Sequence, residues 1–189
     1  MPTKSYILFH SLLNEHHDDF IKKLFNYHSL INNKNEHGES LLHYCSHYGL
    51  IEQYYALINI GAEVTKTNAE NNLLHYASNS GRDPFLVVEL IKSGISPLDK
   101  NKFGETSLHC CENELISHYM NIWASRNNIS IINLLDEDEN TLAHSAKKHG
   151  HINSAHYWLD NYPILNIKKN IYNKKWNQCK KSKYTQGFY

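Results

Sequence analysis

Cysteine is scarce: the chain has four in 189 residues, with Cys110 and Cys111 adjacent and Cys45 and Cys179 isolated. That spacing makes neither a disulfide framework nor a CxxC zinc or redox pattern, so the thiols are expected to be reduced. Long hydrophobic runs are missing as well. Although 41% of the residues are hydrophobic, no stretch approaches the roughly 18 consecutive apolar residues that a membrane span requires. The first ten residues, MPTKSYILFH, interrupt their short apolar stretch at His10 and lack a small-residue cleavage site. No secretory signal is expected there, and the cytoplasm is the expected compartment. The chain also has no phosphate-cradling glycine loop, no paired-carboxylate motif and no GxSxG elbow, so no enzymatic activity is expected.

Net charge is absent in sum but not in distribution. Nineteen basic and nineteen acidic residues cancel, yet every acidic residue lies at or before Asp160 while seven lysines follow it. Residues 1–160 therefore carry −7 and residues 161–189 carry +7. Such asymmetry suggests a tail that folds against the acidic body or meets an acidic partner. Asparagine is abundant, at 23 residues, alongside many Lys, Ile and Tyr. This is the composition of proteins from AT-rich genomes, such as those of parasites, intracellular bacteria and large viruses.

The informative signal is repetition. Four segments align on a histidine preceded by apolar residues: Gly38-Glu-Ser-Leu-Leu-His43, Glu70-Asn-Asn-Leu-Leu-His75, Gly104-Glu-Thr-Ser-Leu-His109 and Glu139-Asn-Thr-Leu-Ala-His144. The histidines are 32, 34 and 35 residues apart. Six residues after each come Gly49, Gly81, Leu115 and Gly150, and about twelve further on Gly61-Ala62, Gly94, Asn127-Asn128 and Asn161. Gly and Asn mark helix stops because they tolerate a left-handed backbone. Between these marks apolar residues recur at helical spacing, as in Ile51, Tyr54, Leu57 and Ile58, or Phe85, Val88, Leu90 and Ile91. Each unit reads as a short helix, a turn, a second helix and a polar connection.

The pattern resembles the ankyrin repeat, whose units combine a glycine turn, Thr-Pro-Leu-His, a helix, a glycine, and a second helix ending before Gly-Ala-Asp. The unit from Ser40-Leu-Leu-His43 to Ile60-Gly-Ala-Glu-Val64 matches best. No unit keeps the proline, Glu70 and Glu139 replace the turn glycine, and Leu115 replaces the inter-helix glycine, so an irregular fourth repeat is expected. Residues 7–34 look like a worn first repeat, with His10 placed 33 residues before His43 and a second helix around Phe20 to Phe25. The resemblance implies an all-α solenoid of about five helix-turn-helix repeats, at 5–34, 35–66, 67–100, 101–135 and 136–165. Residues 166–189 would supply a basic capping helix and tail, because Ile167, Ile171, Tyr172, Trp176 and Cys179 fall at helical spacing and a solenoid's last repeat has an unburied face.

Fourteen histidines raise the question of metal binding. The resemblance implies that His43, His75, His109 and His144 are structural, bonded to backbone and to the motif hydroxyl. The pairs His16-His17 and His149-Gly-His151 lack a second pair at zinc spacing, so no metal or other cofactor is expected. Cys45, close to His43 and His47, could be drawn as a nucleophile beside a base, but it occupies the family's buried alanine position and reads as packing.

Ankyrin proteins are recognition scaffolds, so the resemblance implies a non-enzymatic module that binds a partner protein, monomeric when free. The binding residues it implies lie on the loop tips and the exposed side of each first helix. They are Glu36, His37, Glu39, His47 and Tyr48 from the second repeat, and Asn68, Ala69, Asn71, Asn79 and Ser80 from the third. Lys102, Phe103, Glu105, Asn113 and Glu114 come from the fourth, and Glu137, Asp138, Asn140, Lys148 and His149 from the fifth. Tyr48 and Phe103 are the expected aromatic anchors. Glu105, Glu114, Glu137 and Asp138 would form an acidic patch for a basic partner. A host-delivered effector and an inhibitor of a partner enzyme both fit this reading. The alternative is an adaptor that docks to nucleic acid or an anionic membrane through the lysine-rich tail.

Overall fold

Helices account for all the regular structure in the computed structural model, which describes residues 4–162 and contains no strand among them. Nine α-helices follow in order: α1 (Lys4–Asn14), α2 (His17–Asn26), α3 (Leu41–Tyr48), α4 (Ile51–Asn59), α5 (Leu73–Ser80), α6 (Pro84–Lys92), α7 (Glu114–Arg126), α8 (Leu142–Lys148) and α9 (Ile152–Asn161). None of the described helices is long and apolar enough to cross a membrane. The expected capping helix and tail at 166–189, and the last residues of the fifth repeat, lie outside the described residues.

Successive helices pair as hairpins, α1 with α2, α3 with α4, α5 with α6 and α8 with α9. The first helices of neighbouring hairpins then pack together, α1 on α3 and α3 on α5, while α2 meets α4 and α7 meets both α6 and α9. One continuous core results. Its inner layer is the residue pair before each motif histidine, Leu41-Leu42, Leu73-Leu74 and Leu142-Ala143, joined by Leu108. Its outer layer includes Leu57, Leu86, Val87, Leu90, Ile116, Met120 and Trp158. Two residues after each histidine stands a small side chain, Cys45, Ala77, Cys111 or Ala146, and all four are buried. The Cys45 thiol is enclosed in this layer, and burial pushes its proton affinity up, as packing requires.

Each inner helix starts the same way. In α3 the backbone N–H of Ser40 donates to His43 Nδ1 at 3.1 Å, and Ser40 Oγ lies 2.9 Å from the same nitrogen. In α5 the Asn72 backbone N–H donates to His75 Nδ1 at 3.3 Å, and the Asn72 side-chain oxygen accepts from the His75 backbone N–H at 3.1 Å. Thr106 pairs with His109 and Thr141 Oγ1 with His144 Nδ1. This is a capping box with histidine in place of the usual Glu or Gln, satisfying helix-start donors that would otherwise be orphaned. In His43, His75 and His109, Nδ1 accepts a backbone N–H, so the proton of the neutral ring sits on Nε2. His75 Nε2 meets the Glu105 carbonyl at 3.0 Å, which ties α5 to the next turn. Gly49 and Gly81 close α3 and α5 in the left-handed conformation.

His10 departs from this pattern. It lies in the middle of α1 on an exposed face, so the first hairpin packs like the others but lacks the box.

The fourth unit departs further. Thr106 and His109 keep the box, yet Ser107–Cys110 form only a turn and no first helix follows. Where other units carry a left-handed glycine, this one has Leu115, for which that conformation costs about 1–2 kcal/mol. Asn113 instead caps a new helix, its side chain accepting from the Ile116 N–H at 3.0 Å, and α7 begins five residues after the histidine rather than eight or nine. Glu114, the first residue of α7, aligns with Tyr48 and Ser80, the last residues of α3 and α5.

Glu70 and Glu139 stand at the turn positions held by Gly38 and Gly104, and they adopt the same left-handed backbone, with φ of 61° and 60° against 78° and 69°. A side chain at Gly104 would also sit 2.7 Å from the Glu137 backbone nitrogen. Gly104→Ala is therefore expected to cost about 2 kcal/mol or more, while Glu70→Gly and Glu139→Gly change stability by less than about 1 kcal/mol, in the stabilising direction. Thermal unfolding of the three variants checks this; a melting temperature for Gly104→Ala equal to wild type would contradict it.

Burial lowers the proton affinity of His43 and His109 to a pKa of about 4, and that of His75 in the same direction. Unfolded histidine takes up its proton near pH 6.5, so these rings contribute their full stability above that pH and lose it as the pH falls towards 4. His43 and His109 each contribute on the order of 3 kcal/mol. Chemical denaturation from pH 7 to pH 4 should show that loss, with a shallower slope in His43→Gln; parallel slopes would assign the acid sensitivity to other groups.

Candidate functional site

The loop tips between hairpins are built by short side chains five residues before each cap. Asn35 Oδ1 accepts from the N–H groups of His37 and Glu39, Asn101 Oδ1 from Phe103 and Glu105, and Asp136 Oδ1 from Asp138 and Asn140, all at 2.8–3.0 Å. Thr67 Oγ1 accepts from Asn71 at 3.2 Å. The tips are then stitched to one another through the backbone: Asn68 N–H to the His37 carbonyl, Lys102 N–H to Ala69 and Glu137 N–H to Phe103, at 2.9–3.0 Å. A rigid row of turns carries Glu36, His37, Lys102, Phe103, Glu137 and Asp138 outermost, all exposed. Asp138 is paired with Lys148 at 3.4 Å.

Behind this row lies a groove floored by the inner helices. At one end Glu39, Tyr44, His47, Tyr48 and Tyr76 come together. Tyr76 donates to Glu39 Oε1 at 2.5 Å, the Asn35 amide donates to the other Glu39 oxygen at 2.6 Å, and the Arg82 guanidinium sits 5.3 Å over the Tyr48 ring. Burial, then the Glu39 hydrogen bond, raises the Tyr76 phenol's proton affinity, so it stays a donor. Burial, then the Arg82 charge, lowers that of His47, which is neutral at pH 7. Tyr48 is 36% exposed at the rim.

The groove deepens where the fourth unit lacks its first helix. A cavity of about 350 Å³ opens between α5 and α8, lined by residues that include His47, Asn71, Tyr76, Asn79, Phe103, Glu105, Cys110 and His149. Phe103 is 57% exposed at its edge. The Asn101 amide bridges Asn71 Oδ1 and Glu105 Oε2, and His151 Nε2 reaches across to Asn79 Oδ1 at 3.0 Å.

Three residues expected to be open binding positions on this surface are engaged otherwise. Glu105 is 4% exposed and serves as a strut, its carboxylate meeting His149 Nε2 at 2.9 Å. Burial pushes that carboxyl up, but the His149 and Asn101 bonds outweigh it and hold it below the ordinary carboxylate range. Asn113 is the α7 cap and also donates to the Gly81 carbonyl, and Glu114 belongs to a separate depression beside α9 with His156, Tyr157 and Asp160. The expected acidic patch is therefore broken: one member is buried, one faces α9 and one is paired with a lysine. Both displacements of Asn113 and Glu114 follow from the early start of α7.

Tyr44, Tyr76 and Cys110 line the groove, and His151 braces its Asn79, although sequence reasoning passed over them. So did the tip builders Asn35, Thr67, Asn101 and Asp136, whose recurrence at repeat spacing was a usable signal. No protein-family model matches the chain, and comparison with curated proteins finds no match.

Proposed function

We propose that the chain is an ankyrin-repeat protein and that it binds another protein through the groove and the row of tips. The observation that carries the reading is the union of two features on one face. The tips are fixed by side-chain and inter-tip backbone hydrogen bonds, and their most exposed positions are occupied by residues the core does not use. A preorganised surface loses little entropy on binding, which favours affinity over a mobile one.

Within that face Tyr48 and Phe103 are the large exposed aromatics, standing at the rims of adjoining hollows that share His47 and Tyr76. Interface energy concentrates in a few aromatic or arginine anchors, so these two carry the largest expected share. The polar groups between them, half-buried Glu39 and Asn71, exposed Asn79 and the tyrosine hydroxyls, would fix orientation through hydrogen bonds. An inhibitor of an enzyme and a host-directed effector would both work through this face, and the identity of the captured protein separates them.

Affinity capture from host-cell and own-organism lysates, run with wild type and a Tyr48→Ala/Phe103→Ala double variant of equal helicity, tests the proposal. The expected result is a protein retained by wild type and lost by the double variant, with at least a roughly 30-fold weaker affinity in the purified pair. Equal retention by both would move the contact away from this groove.

A further inference from the structure

The cavity left by the missing fourth-unit helix gathers three chemically different donors. Glu105 contributes a carboxylate from the tip, Cys110 a thiol from the turn that replaces the helix, and His149 an imidazole from the end of α8. Their ligand atoms all lie within 4.8 Å of one another, and Glu105 Oε1 is 2.9 Å from His149 Nε2. All three line the same opening in the groove. Two of the three are anchored: Glu105 and Cys110 are 4% and 5% exposed, and the Asn101 amide donates to the other Glu105 oxygen. Support of this kind for a ligating carboxylate is what orients metal ligands.

We propose that Glu105, Cys110 and His149 bind one divalent transition-metal ion, with Zn²⁺ the best match, and that its fourth coordination position opens into the groove. A mixed S, N and O donor set suits zinc, which takes Cys sulfur at about 2.3 Å and His or carboxylate atoms at about 2.0–2.2 Å. Tetrahedral angles at those lengths separate ligand atoms by roughly 3.3–3.8 Å. The Glu105–His149 pair must widen slightly and Cys110 must close in, movements of under about 1 Å. Binding displaces the thiol proton and the proton shared by the imidazole and carboxylate. The ion would staple the tip and turn of the fourth unit to the end of α8, the place where packing from a first helix is missing. Sequence spacing gave no hint of this set, because His149 lies 39 residues beyond Cys110 and meets it only through the lost helix.

Co²⁺ serves as the probe. The full chain, stripped with a chelator and kept reduced, is titrated with Co²⁺ while the near-ultraviolet thiolate-to-cobalt band and the visible ligand-field bands are followed. One equivalent should give both, and Zn²⁺ should displace them. Cys179→Ser should leave the spectrum unchanged, Cys110→Ser should abolish the thiolate band, and His149→Gln should weaken Co²⁺ binding at least about tenfold. Circular dichroism verifies folding; should Cys110→Ser unfold, the half-exposed His149→Gln decides. Absence of a thiolate band in wild type would overturn the proposal. So would a wild-type titration in His149→Gln or in folded Cys110→Ser, or loss of the band in Cys179→Ser.

Discussion

The hydrogen bond between a histidine ring and the residue three positions before it holds more of this structure in place than any other interaction. It closes the start of α3, α5 and α8 and persists at His109, where no helix follows. The ring is large enough to fill the space between neighbouring hairpins, and its two nitrogens face opposite ways. Nδ1 accepts within its own unit, and in His75 the Nε2 proton reaches the Glu105 carbonyl of the next tip. Only a neutral imidazole can accept on one side and donate on the other. At His75, core, cap and tip are therefore joined through one group whose charge state is set by burial.

From that joint the rest follows by geometry. Fixing the helix start fixes the turn before it, whose Asn, Thr or Asp side chain organises the tip backbone, and fixed tips can bond to one another in a row. The surface residues are then held on a frame that owes them nothing. The proposed binding role rests on this separation, in which core positions repeat while the positions of Tyr48 and Phe103 carry a different residue in every unit.

Much of this was legible in the residues. The spacing of His43, His75, His109 and His144 located the units, and Leu115 in place of glycine marked the fourth as irregular. Asn128 takes the left-handed conformation expected of it, with φ of 56°. What the spacing could not show was how the irregularity would resolve. Once α7 starts at Glu114, Asn113 becomes a cap, Glu114 turns towards α9, and α5 and α8 face each other across a cavity. Glu105 looked like a surface acid by its position in the repeat. Its burial depends on His149, 44 residues away, and on the absence of a helix between them. Pairings of that kind are decided by tertiary packing, which a repeat alignment does not contain.

The most direct test of the account is the charge and tautomer of the buried rings, read from ring nitrogen resonances of ¹⁵N-labelled protein as the pH is lowered from 7. His43, His75 and His109 should each carry one proton, on Nε2, and His43 and His109 should keep that state well below pH 6.5 until the protein unfolds. Rings that titrate near pH 6.5 in the folded chain, or that carry the proton on Nδ1, would contradict the account.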